Sequence, residues 1–250
     1  MKQLIIICTS LLLLACSRNE NKSINIATAA NVQFAMQEIG KAFTNESGIE
    51  CNFIIGSSGK LTAQIKEGAP YDIFLSADMK YPNEIHRSGL SHISPEVYAK
   101  GELVLWTMQS INDFAIQDLL HSDTKHIAIA NPKLAPYGLA ALEVLNHFNL
   151  YPQVQDKLVY GESISQVNQF VYSETAQYGF TSKSVVLSTK MKNQGKWIPL
   201  PKESYSDIKQ AVVLIKREGN TRSTSEKFYK FLFSDSAQKI LTNYGYTIPE

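Results

Sequence analysis

The stretch "GSSGKLTAQIKEGAPYDIFLSAD", residues 56–78, decides the fold. Its opening turn, Gly56-Ser57-Ser58-Gly59-Lys60, follows the strand-like run "CNFII" and precedes Leu61 and Ile65 at helical spacing over 60–67. "YDIFLSAD" at 71–78 then reads as another strand. Upstream, "INIATAA" at 24–30 is a strand, and 33–45 is a helix with Ala35, Ile39, Ala42 and Phe43 at helical spacing. The order strand-helix-strand-helix-strand calls for a parallel sheet with helices on its faces.

The pattern restarts further on. Strands are expected at 101–106, 125–131 and 157–163, within "AQYGFTSKSVV", and at 209–216. Helices are expected at 138–148 and from 164 to about 172. Ser223-x-x-Glu226 reads as a capping box opening a helix with Phe228, Phe231 and Leu232, and 234–244 as the last helix. Two such α/β units predict a two-lobed protein, each lobe a mainly parallel sheet flanked by helices. One lobe is expected from 24–101 plus 209–250 and the other from 102–208. The crossing segments near 102–106 and 204–209 are the expected hinges. Ligands in such folds bind where strands end and helix N-termini face a crevice.

The N-terminus speaks to location. Lys2 precedes an apolar run over 4–14, shorter than the ~20 residues of a membrane span. It suits a secretory signal. "LLAC" at 13–16 resembles a bacterial lipobox, with 1–15 removed, Cys16 lipidated and 16–23 a polar tether. A plain export signal is the alternative. Cys8 leaves with the signal and Cys16 carries the lipid, so Cys51 has no intrachain disulfide partner and reads as a small buried apolar residue. The formal net charge of +1 and the lack of a Lys/Arg run give no reason to expect a nucleic-acid partner.

Four strand-to-helix turns share one chemistry: Thr28–Asn31, Gly56–Lys60, Asn131–Gly138 and Gly161–Ser165. Asn31, Ser58, Gly138 and Ser163 sit where the helices open. The ordinary reading of each turn is a helix cap. Helix N-termini also expose unpaired N–H groups and partial positive charge, so four facing one cleft make an anion cage without a charged side chain. Sharper motifs fail. A nucleotide loop would need glycine at Ile54 and Ser or Thr at Leu61. "GESIS" has Ser165 where a nucleophile elbow needs glycine, and no base accompanies Ser58 or Ser163. The five histidines form no zinc motif, and no metal cation site or cofactor is expected. Asp78 ends a strand without a partner base and reads as a cap for the next helix or a solvated charge.

Together the turns resemble the substrate-binding proteins of bacterial molybdate ABC transporters. The likeness runs from "INIATAANVQFAMQEIGKAF" through the opening stretch, "IAIANPKLAPYGLAALEVL" and "LVYGESISQVNQFV" to "FLFSDSAQKILTNYGYTIP". It implies a type II periplasmic binding protein, not an enzyme. It further implies a monomer that takes molybdate or tungstate and delivers it to an ABC permease from a lipid-anchored, extracytoplasmic position. Carried over by position, the oxyanion ligands fall on Asn31, with Ala30 beside it, and on Ser58, Tyr137 and Ile164. Many members have serine at Asn31; here its backbone N–H and side-chain amide are the expected donors. Some members have alanine at Tyr137 and use mainly its backbone; a tyrosine hydroxyl used by some members is absent near Ser182, and whether Tyr137 binds by its backbone N–H or by its hydroxyl is left open by the resemblance. Another oxyanion such as sulfate or phosphate is the alternative ligand, and a serine hydrolase the alternative class.

Overall fold

The computed structural model describes residues 23–111, 113–217 and 222–249. The expected signal 1–15, Cys16 and nearly all of the tether lie outside the described residues. Among the described residues no helix is long and apolar enough to cross a membrane.

Strand β1 (Ser23–Ala29) passes through a single 3₁₀ turn, Ala30–Val32, into α1 (Gln33–Ser47). Then come β2 (Glu50–Gly56), α2 (Ser58–Lys66) and β3 (Ile73–Ser76), as the periodicity predicts. Two unmarked elements follow, α3 (Lys80–Arg87) and β4 (Glu96–Gly101). The expected strand over 101–106 is in fact divided. β4 ends at Gly101, Glu102 alone crosses, and β5 (Leu103–Thr107) starts the second sheet. All five residues of β5 are buried in the second sheet, so of the segment 102–106 only Glu102 lies between the two sheets.

The second lobe continues with β6 (Ile127–Ala130), α4 (Pro136–His147), short α5 (Tyr151–Val154), β7 (Leu158–Gly161), α6 (Ile164–Tyr172) and β8 (Tyr178–Ser182). Short α7 (Lys183–Val186) and β9 (Lys196–Pro199) complete it. The chain returns to the first sheet as β10 (Ile208–Leu214) and ends with α8 (Arg222–Leu232) and α9 (Asp235–Asn243). α8 begins before Ser223, so Ser223 is not its cap, and Glu226 pairs with Arg222 at 2.9 Å instead. Ser234 does cap α9, accepting the Ala237 N–H.

The result is two five-stranded sheets, ordered β2-β1-β3-β10-β4 and β7-β6-β8-β5-β9. Both are mixed. β1 is parallel to β2 and β3, and β6 is parallel to β7 and β8. The antiparallel members are strands next to the crossings: β10 against β3 and β4, and β5 against β8 and β9. A strand entered by crossing from the other sheet runs in from the opposite end, a direction that side-chain periodicity does not encode. In the first lobe Ile26, Met36, Ile39, Phe228 and Leu241 pack together, and in the second Trp106, Ile129, Val144, Val167 and Phe180 do. Ala29, Ala30 and Ala77 of the first lobe join the second lobe's core cluster. The lobes therefore meet in direct contact at the carboxyl ends of β1 and β3.

Candidate functional site

The opening stretch supplies the first wall. Ser57, not Ser58, caps α2, its Oγ accepting the Lys60 N–H at 3.4 Å. Ser58 is the first helical residue, 1% exposed, and its Oγ accepts the Ala77 N–H at 3.1 Å. That bond occupies a lone pair and leaves the hydroxyl proton available for an acceptor in the cleft.

Ala30 and Asn31 open the 3₁₀ turn after β1, where the leading N–H groups have no intrahelical acceptor. The Asn31 side chain does not serve as expected. Its Nδ2 donates to Gln210 Oε1 at 2.8 Å and to Tyr246 Oη at 3.0 Å, so both hydrogens are occupied. Its carbonyl accepts from Ser184 Oγ at 2.5 Å and Ser182 Oγ at 3.3 Å. These bonds hold the turn and occupy the side-chain amide hydrogens.

The third turn enters α4 through the cap residue Ala135, with Pro136 at the first position. Proline has no N–H, so the first free donor of α4 belongs to Tyr137. The Tyr137 hydroxyl goes elsewhere: a Cβ built on Gly101 would lie only 2.1 Å from it. It faces the crossing between lobes, at the end of β4. The fourth turn places Ser163 at the cap of α6, without a side-chain capping bond, and Ile164 first in the helix.

These turns surround a small cavity of about 10 Å³ lined by Ala29, Ala30, Asn31, Gly56, Ser57, Ser58, Ala77, Ala135, Pro136, Tyr137 and Ile164. All five sequence-predicted site residues are brought together, from both lobes. No lining side chain is charged. Organic ligands of drug size occupy about 300–1,000 Å³, so this space suits a ligand of only a few heavy atoms. Burial holds the Tyr137 hydroxyl well above the usual phenol range and pushes Tyr246 up to about 12, so neither presents negative charge near the pocket.

The rim is closed by bonds between lobes. Gly59 N–H donates to the Leu134 carbonyl at 2.8 Å, and Tyr81 Oη to the Lys133 carbonyl at 2.9 Å. Lys60 Nζ pairs with Glu162 at 2.8 Å and thus faces a carboxylate outside the pocket. Among the described residues no His or Lys is hydrogen-bonded to the side chain of Ser58 or Ser163, and no three His, Cys, Asp or Glu side chains gather as a metal site. Asp78 accepts the Tyr81 N–H at 3.2 Å in the first turn of α3, the capping role its position suggested. Burial raises its carboxyl above the usual range.

Sequence reasoning missed Ala77, Gln210, Ser184 and Tyr246. Tyr246 reaches Asn31 across almost the whole chain, and only the aromatic motif "YGYTIP" near the C-terminus hinted at it.

The profile of the bacterial extracellular solute-binding proteins matches residues 24–247. Molybdate-binding protein ModA of Rhodobacter capsulatus is 37% identical over 88% of this chain and 86% of its own length. ModA of Azotobacter vinelandii is 32% identical over 94% of this chain and 93% of its own. The solved periplasmic molybdate-binding protein of Azotobacter vinelandii superposes with a TM-score of 0.86 at 31% identity, covering 91% of this chain and all of that one.

Proposed function

The chain belongs to the bacterial extracellular solute-binding proteins, in the family of the ModA molybdate-binding proteins, and from that premise we propose that its pocket captures molybdate or tungstate for delivery to an ABC permease. The observation that carries the reading is the convergence of four helix-opening turns on one small pocket lined by no charged side chain. The donors are the backbone N–H groups of Ala30, Asn31, Tyr137 and Ile164 and the hydroxyl of Ser58. They hold the anion as an oxyanion, with no cation ligand and no chemical step.

Neutral, fixed donors suit a transport protein. Helix N-termini favour negative charge and bring N–H groups already aligned. Their spacing measures the anion. A smaller tetrahedral oxyanion such as sulfate leaves donors unpaired, and each buried unpaired donor costs about 1–3 kcal/mol. Because the donors come from both lobes, the anion stabilises the closed form. The lobes follow 24–101 plus 209–250 and 102–208, with movement about Glu102 and the segment ahead of β10. The segment 1–15 exports the protein, a lipid on Cys16 anchors it at an extracytoplasmic membrane surface, and it acts there as a monomer.

The test is thermal unfolding with molybdate, tungstate, sulfate and phosphate, each added at micromolar concentration. A ligand that binds only the folded state raises stability by mass action. Molybdate or tungstate is expected to raise the midpoint well above the shift given by sulfate or phosphate. No shift with either molybdate or tungstate would refute the reading.

A further inference from the structure

Tyr246 reaches the anion site from the far end of the chain. Helix α9 ends at Asn243, and Gly245 adopts a left-handed φ of +78° that turns the chain back. Thr247 then pairs with Lys100 of β4 in both directions, its N–H donating to the Lys100 carbonyl at 2.9 Å and its carbonyl accepting the Lys100 N–H at 2.7 Å. Tyr246 is held between these two anchors, buried in the core of the first lobe. Burial pushes its phenol up to about 12, so the hydroxyl keeps its proton and can both donate and accept.

That hydroxyl grips Asn31 at two places. It accepts from the side-chain amide at 3.0 Å and donates toward the backbone carbonyl at 3.1 Å. One bond fixes the side chain and the other the peptide plane. Gln210 Oε1 takes the second amide hydrogen, and Ser184 Oγ and Ser182 Oγ reach the same carbonyl from the second lobe. The turn Ala30–Val32 has no side-chain cap of its own. Its orientation is set instead by groups between 151 and 215 residues away in sequence. Ala30 and Asn31 line the pocket, whereas Tyr246, Gln210, Ser182 and Ser184 do not. These four therefore stand behind the turn and act on its shape.

We propose that Tyr246 is a positioning residue that sets the anion selectivity of the pocket through Asn31. The inference rests on the oxyanion reading above and deepens it. Neutral donors tell tetrahedral oxyanions apart by size only if they resist moving inward around a smaller one, which requires a supporting layer behind them. The phenol supplies that support for the first turn, because it holds the side chain and the carbonyl of the same residue. Without the hydroxyl, the carbonyl keeps Ser184 and Ser182, but the amide keeps only Gln210 and can swing. The turn then adapts to a smaller anion, and molybdate loses its fixed fit. Tyr98 supplies an internal control. Its hydroxyl is also buried in the core of the first lobe, within β4, but it has no hydrogen-bond partner among the described residues.

The experiment titrates the full mature chain with molybdate and measures sulfate by its competition with molybdate. Tyr246→Phe keeps the ring in the core and removes only the hydroxyl. It is expected to weaken molybdate binding about tenfold but sulfate binding less than about threefold, so that discrimination narrows. Tyr98→Phe is expected to leave both affinities within about twofold of wild type, whatever it does to the thermal midpoint. In Asn31→Ser, which offers the phenol no amide, adding Tyr246→Phe is expected to cost less than about threefold more. Wild-type affinity in Tyr246→Phe, an equal proportional loss for both anions, a matching narrowing in Tyr98→Phe, or the full loss repeated in the Asn31→Ser background would overturn the proposal. Wild-type protein that binds neither molybdate nor tungstate refutes the functional reading instead, and the oxyanion that does bind then takes the place of molybdate in the same comparison.

Discussion

Gly59 and Leu134 join the two lobes backbone to backbone: the Gly59 N–H donates to the Leu134 carbonyl at 2.8 Å. A Cβ on Gly59 would stand 2.8 Å from the Tyr81 hydroxyl and 3.0 Å from Leu134 Cα. The absence of a side chain at this point of α2 is what lets the lobes touch. Gly59→Ala is therefore expected to weaken molybdate binding at least tenfold by propping the cleft open. The same change stabilises the anion-free protein by up to about 1 kcal/mol, since alanine is the better helix former. Calorimetric titration alongside thermal unfolding checks the opposed signs, and a variant with wild-type affinity would show that the contact does not govern closure.

The Ser58 hydroxyl accepts the Ala77 N–H, and Ser58 lines the pocket. Ser58→Ala removes a donor to the anion and strands the Ala77 N–H. The expected loss of molybdate affinity is about 1–3 kcal/mol. Unchanged binding in a titration would remove Ser58 from the site.

Lys60 and Glu162 bridge the rim with side chains 50% and 41% exposed. Solvated pairs of this kind contribute about 0.2–1 kcal/mol. Glu162→Gln is expected to lower molybdate affinity less than about fivefold, mainly by faster release, and the difference shrinks in high salt. Lys60→Ala should behave alike. Stopped-flow release at two ionic strengths measures both, and a loss of a hundredfold for Lys60→Ala would make the lysine an anion ligand.

Glu102, the single residue between β4 and β5, pairs with Lys183 at 2.9 Å and Lys202 at 3.2 Å. Burial acts to raise its carboxyl, but hydrogen bonds and charge from the two lysines outweigh it and hold the group below the usual glutamate range. A carboxylate lowered in the folded state stabilises the protein above its unfolded pKa, and that stability is lost as pH falls through the folded value. Glu102→Gln is expected to cost about 1 kcal/mol at pH 7. The gap to wild type should close as the pH drops below the usual carboxylate range. Denaturant unfolding across pH 3–7 tests this, and a gap that widens on acidification would contradict it.

Much of this architecture is legible in one dimension. α1 and α2 show themselves by apolar spacing, and the parallel strands by their place between helices. β9 and α3 do not. β9 is a four-residue edge strand, and α3 spans eight residues with Pro82 inside, both too short for periodicity to register. The strand at 101–106 reads as continuous because side-chain character does not change where the chain leaves one sheet for the other. Within the site, position and residue type sufficed for Ala30, Asn31, Ser58, Tyr137 and Ile164 to be gathered. The atoms in use were not legible, because side-chain direction is set by partners distant in sequence.

By itself the sequence determined the two α/β lobes, the four helix-opening turns and the neutral character of what they present, since all of these follow from local periodicity and residue type. Only the tertiary structure decided where the polar atoms go. Gln210 and Tyr246 claim the Asn31 amide from 179 and 215 residues away. The Tyr137 hydroxyl ends against Gly101, at the crossing between the lobes. The division has one physical cause: helix and strand formation is governed by neighbours along the chain, whereas a buried hydrogen bond is governed by whatever the fold places within about 3 Å.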